Sequence, residues 1–110
     1  MIRHVVLWKL KAEVTVSEEI YRKTVDQIRA NYRVLKENMP LIRNMEIYES
    51  VKTGKDFYEI GTLMDFDSLE DLELFQKSDA HKEPKAKAFC DAVRECKAVI
   101  DFEFQPLCRS

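Results

Sequence analysis

Ile2-Arg3-His4-Val5-Val6-Leu7-Trp8-Lys9-Leu10-Lys11 is the stretch whose reading decides the fold of this chain. In an extended strand, successive side chains point to opposite faces. One face carries Ile2, His4, Val6, Trp8 and Leu10; the other carries Arg3, Val5, Leu7 and Lys9. Through its middle the stretch is apolar on both faces, the pattern of a strand covered on two sides. The run is too short to cross a bilayer, which takes roughly 20 apolar residues. It also lacks the longer apolar core and small-residue cleavage site of a secretory signal. The expected location is cytoplasmic.

Outward from this strand, Thr15-Val16-Ser17-Glu18 fits a capping box, with Thr15 as N-cap and Glu18 reaching back. Tyr21, Val25, Ile28, Tyr32, Leu35 and Met39 then step by fours and threes, one apolar stripe of a long helix that Pro40 closes. Leu41 to Val51 and Phe57 to Phe66 read as two strands of a hairpin, with Lys52-Thr53-Gly54-Lys55-Asp56 as the turn. Gly61 suggests a bulge or the close approach of something bulky. Asp67 or Ser68 can cap a short helix carrying Leu69, Leu72 and Phe75. A further helix follows Pro84, with Ala86, Phe89, Cys90 and Val93 on one face. Ala98, Ile100, Phe102 and Phe104 alternate with Val99, Asp101 and Glu103 as the last strand.

The order is β-α-β-β-α-β, an α+β, ferredoxin-like arrangement with a four-stranded antiparallel sheet. Residues 1–110 form one domain, with a C-terminal tail from about 105. Helices on one side cover one sheet face. Val5, Leu7, Met45, Ile47 and alternate positions of the third strand would leave the other face apolar, and soluble monomers rarely tolerate such a patch. A second copy covering it would make a homodimer, a dimeric α/β barrel with a symmetric interface.

Composition narrows the classes further. Lys plus Arg is 18 against 20 Asp plus Glu, a net charge of −2, which argues against a nucleic-acid partner held by electrostatics. Hydrophobic residues make up 45% of the chain, an ordinary globular share that argues against disorder. Only two Gly and three Pro leave little punctuation for a many-turned all-β fold. No segment has the makings of a membrane anchor. Cys90, Cys96 and Cys108 lack paired C-x-x-C spacing, and Cys90 and Cys96 sit in a helical pattern. Two histidines 77 residues apart supply no metal-ligand spacing, so no metal and no cofactor is expected. Asp65, Asp67, Glu70 and Asp71 surround a helix start, where they stabilise its dipole rather than bind a cation.

Three stretches together carry a family resemblance. Ile2 to Lys11 is similar to the first strand of the stress-responsive dimeric α/β-barrel proteins. Phe66-Asp67-Ser68-Leu69-Glu70-Asp71-Leu72-Glu73-Leu74-Phe75-Gln76-Lys77-Ser78-Asp79-Ala80-His81 resembles their second signature, a short helix leading to a small residue and a histidine. Lys97-Ala98-Val99-Ile100-Asp101-Phe102 fits their last strand. One departure is Asp79, where members often carry proline. The resemblance implies a homodimer with a pocket between sheet and helices. Among the relatives it implies is a plant polyketide cyclase that uses two histidines as acid and base, and His4 and His81 match those positions. The cyclase tyrosine six residues before the second histidine is replaced by Phe75, which removes a hydroxyl able to orient an oxyanion.

Three readings of function follow. The leading one is a homodimer that binds a small hydrophobic or aromatic molecule in each protomer, with Trp8, Phe75 and Phe89 lining the pocket. Each of the three is also an ordinary core residue. The second is a cofactor-independent cyclase or lyase acting on a carbonyl compound, with His4 and His81 as the acid/base pair. Against it stands the plain alternative of a buried histidine bonded to its own fold. The third is a purely structural or interaction module.

Overall fold

The computed structural model describes residues 1–78 and 84–105, and of residues 84–86 the backbone alone. Strand β1 spans Ile2–Leu10 and buries His4, Val6, Trp8 and Leu10, while Val5 and Leu7 stay partly open. A single helical turn, α1 (Ala12–Thr15), precedes the long helix α2 (Glu18–Asn38). The N-cap of α2 is Ser17, whose hydroxyl accepts from the Ile20 N–H, and not Thr15. The capping box fails because Thr15 is taken into α1, where its hydroxyl donates to the Ala12 carbonyl at 3.4 Å.

The stripe on α2 packs as its spacing requires. Val25 and Ile28 are buried; Tyr21, Tyr32, Leu35 and Met39 are partly buried against the same core. Strands β2 (Asn44–Glu49) and β3 (Ile60–Phe66) are shorter than the apolar runs suggest. The residues between them form a loop that Lys9 ties down through bonds to the Gly54 and Phe57 carbonyls and the Glu59 carboxylate. Helix α3 (Leu69–Lys77) is capped by Ser68. Its Leu72 and Phe75 face inward, whereas Leu69 is exposed. Helix α4 (Pro84–Val93) runs directly into β4 (Arg94–Glu103), so Cys96 lies on a strand and not in a helical pattern.

The four strands are antiparallel in the order β2-β3-β1-β4. The helices pack on the sheet face that carries Val6, Trp8 and Leu10, forming two adjoining clusters. The first joins these residues to Val14, Val25, Ile28, Ile60 and Val93; the second joins Ile42, Met64, Phe66, Leu72 and Phe75. Tyr32 touches both.

The bare face differs from the expectation at two positions. Met45 pairs with Met64 and Ile47 with Thr62, and both partners are buried beneath the helices, so Met45 and Ile47 belong to the covered face. A one-residue change of register moves a strand's whole apolar set to the other side. The uncovered face carries Val5, Leu7, Tyr48, Leu63, Ile100 and Phe102. Tyr48 and Ile100 are 52% and 59% exposed. Gly61 pairs without a register shift, so no bulge forms there. A Cβ there would meet a Leu7 methyl at 3.4 Å, the edge of ordinary contact with the end of a flexible side chain. A hollow of ≈ 240 Å³ opens on this face between Val5, Leu7, Tyr48 and Leu63.

Candidate functional site

The covered face of β1 brings together the polar groups that the core does not need. His4 is 8% exposed, with Met64 of β3 on one side and Asp101 of β4 on the other. Its Nδ1 forms a short hydrogen bond with Asp101 Oδ1. A carboxylate on Nδ1 fixes the ring and favours the tautomer with the proton there, which turns the Nε2 lone pair outward from that bond. Nε2 has no hydrogen-bond partner among the described residues.

Four residues on, Trp8 is 1% exposed, and its Nε1–H finds no acceptor among the described residues. An orphaned buried donor of this kind costs about 1–3 kcal/mol, so most proteins avoid it. Around the indole stand Tyr32, edge-on at 6.1 Å between ring centroids, and Arg94, whose guanidinium carbon lies 4.8 Å from the ring centroid. Phe89 and Cys90 of α4 pack against the same cluster. Burial lifts the Tyr32 hydroxyl well above its ordinary pKa and so keeps it protonated, against a smaller opposing effect of Thr62 and Arg94. Burial likewise raises the Cys90 thiol, so it is a poor nucleophile at neutral pH.

Tyr32 also forms one wall of a groove of ≈ 430 Å³ between α2 and β2, with Met45 and Ile47 as floor and Arg29, Arg33 and Lys36 on its rim. One aromatic ring therefore stands between this groove and Trp8.

Of the residues singled out in the sequence, Trp8 and Phe89 meet in the first cluster. Phe75 belongs to the second, against Phe66 with ring centroids 5.4 Å apart, and does not join them. His81 and Cys108 lie outside the described residues. The acidic group near α3 divides its work: Asp65 holds Arg3 through two bonds, Asp67 holds Arg43, and Glu70 and Asp71 occupy the first turn of the helix. No group of three metal-ligating side chains occurs among the described residues. Nor is any described helix long and apolar enough to cross a membrane.

Three residues of this site escaped the sequence reading. Asp101 had a faint signal, as an acid between the apolar residues Ile100 and Phe102 of the last strand. Tyr32 was hidden inside a regular apolar stripe. Arg94 had none, because its placement depends on an irregularity in strand pairing.

Known proteins of the same shape are plentiful. A dimeric protein of unknown function with a ferredoxin-like fold from Bacteroides fragilis is 23% identical, with a TM-score of 0.77 over 94% of this chain and 95% of that one. Hydroxynitrile lyase from Passiflora edulis is also 23% identical, with a TM-score of 0.76 over 98% of this chain and 96% of its own. A dimeric ferredoxin-like protein of unknown function from Thermobifida fusca reaches 0.73 at 18% identity, over 94% and 90% of the two chains. At such identities the likeness is one of fold. A comparison with curated proteins found no match. The family model of the stress responsive A/B barrel domain, by contrast, matches residues 2–104. With nearly its whole length matched, and with the sheet order and bare apolar face already seen, this chain belongs to the stress-responsive A/B barrel domain family.

Proposed function

We propose that this protein is a homodimer in which two sheets face each other as a barrel, each protomer binding a small hydrophobic or aromatic molecule between sheet and helices. The observation that carries the ligand reading is the Trp8 Nε1–H, buried without an acceptor among the described residues at the centre of the covered face. A ligand oxygen placed beside it would remove the cost of the orphaned donor, and the aromatic wall of Tyr32 and Phe89 suits a flat apolar body. The dimer reading rests on the bare apolar face, and proteins of similar fold are dimeric.

A thermal-shift screen of phenolic and polyketide-like compounds tests the ligand reading. A compound at a hundred times its Kd adds about 2.7 kcal/mol, which for a chain of this size raises the Tm by roughly 10 °C. The shift should shrink in Trp8→Phe, which keeps an aromatic ring but loses the N–H. If no compound stabilises the wild type, or Trp8→Phe responds equally, the reading is wrong.

A second reading draws on the His4–Asp101 pair. An imidazole oriented by a carboxylate, with Nε2 free, is the arrangement of a general base. With His81 as its partner it would serve a cofactor-independent lyase or cyclase, and the neighbour from Passiflora edulis is a hydroxynitrile lyase. Cleavage of aromatic hydroxynitriles by wild type, His4→Ala, His81→Ala and Asp101→Asn decides this. Catalysis requires turnover that falls at least a hundredfold in His4→Ala, and turnover equal in all four chains excludes it.

A further inference from the structure

The pairing of β1 with β4 is regular from Ile2 opposite Glu103 to Lys9 opposite Cys96, then slips, so that Leu10 faces Arg94 instead of Glu95. A strand alternates sides strictly, and an extra residue reverses which neighbour points inward. Leu10 is on the covered face, so the regular register would have put Glu95 beside the helices. The bulge leaves Glu95 exposed and brings Arg94 over the Trp8 ring. An acidic side chain is thus exchanged for a guanidinium at the edge of the proposed pocket.

That guanidinium has no counter-ion among the described residues. Arg3, Arg22, Arg29 and Arg43 each hold a carboxylate within 3.4 Å, whereas Arg94 holds none among the described residues. Its only described partner is the π face of an indole, whose own N–H also lacks an acceptor. Arg94 draws down both the Tyr32 hydroxyl and the Cys90 thiol, Lys97 acts on the thiol in the same sense, and Asp91 opposes them. A half-buried cation beside an orphaned donor is complemented by one kind of group, an anion that accepts hydrogen bonds. A neutral hydrocarbon would leave both unsatisfied, and a cationic ligand would be repelled.

We propose that the ligand of this pocket is an organic acid with an aromatic or apolar body, its carboxylate held by the Arg94 guanidinium and the Trp8 N–H. This rests on the reading of the space beside Trp8 as a ligand pocket and names the chemical class that the pocket selects.

The test uses the full chain and three matched pairs: phenylacetate, hydrocinnamate and phenylbutyrate, each against its own amide. Trp8 is the only tryptophan, so its fluorescence reports binding directly, with thermal shift as a second readout. In the wild type the best acid should bind at least tenfold more tightly than its amide, the difference expected for a hydrogen bond to a charged partner. Arg94→Gln should bind acid and amide alike, and Arg94→Lys should keep part of the preference. The wild-type comparison stands by itself if Arg94→Gln does not fold. Equal affinity of acid and amide in the wild type, or an unchanged acid preference in Arg94→Gln, overturns the acid proposal while leaving a pocket that binds. Failure of all six compounds overturns the acid proposal too, and if the phenolic panel also fails, the ligand reading falls with it.

Discussion

Arg3 shows how a single residue on the bare face can be worth more than its exposure suggests. Its guanidinium grips both oxygens of Asp65 at 2.8 and 3.0 Å and lies 4.1 Å from the Phe104 ring centroid. The two partners differ: the Arg3 side chain is 29% exposed and that of Asp65 only 5%. Removing the arginine leaves a charge that water hardly reaches with only the Asn44 amide, at 3.3 Å, to hold it, whereas removing the carboxylate leaves a cation that still has solvent and an aromatic face. Arg3→Ala should therefore cost about 3 kcal/mol, and Asp65→Asn clearly less, in urea unfolding at one fixed protein concentration. The reverse ranking would contradict this account of the pair. At the same scale, His4 and Trp8 were legible as candidates because strand alternation sets them on one inward face. Their partners were not. Asp101 lies 97 residues from His4, and only the sheet register brings the two together.

Between elements, the clearest joint is Glu49 on the edge strand β2. It accepts two bonds from Arg22, at 2.8 and 2.9 Å, with Arg29 and Tyr21 of the same helix at 3.4 and 3.3 Å. The Arg22 hydrogen bond, more than any other influence, holds the carboxyl below its ordinary value, with burial opposing. A carboxylate depressed in the folded state contributes its full stability above about pH 4.5 and loses it as the pH falls through the folded value. Glu49→Gln should thus cost about 1 kcal/mol at neutral pH, a modest figure because the pair is partly exposed. That gap should close on acidification below pH 4.5, as followed by chemical denaturation across pH. A gap that stays constant would show that Glu49 acts by packing alone. The elements themselves were legible wherever one periodicity ran without interruption: β1, the stripe of α2, the alternation of the last strand. They were misread where a neighbour decides. Thr15 lost its capping role to a helical turn that four residues barely signal. Met45 and Ile47 changed faces because pairing with β3, and not their own hydropathy, sets their side.

For the whole molecule, the charge of −2 and the apolar share of 45% describe an ordinary domain, and the arrangement of that share is what is unusual. Two helix-covered clusters use one side of the sheet, while Leu7, Tyr48, Ile100 and Phe102 remain on the other, each at least 38% exposed in the single chain. An exposed apolar sheet face favours a second copy in water. Ile100→Lys places a charge where the isolated chain has room for it, so the fold of one protomer should survive while pairing fails. The direct test needs no ligand: analytical ultracentrifugation of the wild-type chain across the micromolar range, with Ile100→Lys run in parallel. The account requires a wild-type mass twice the 13.0 kDa of one chain, with the variant a folded monomer. A wild-type chain that stays a folded 13.0 kDa monomer at every concentration would contradict it.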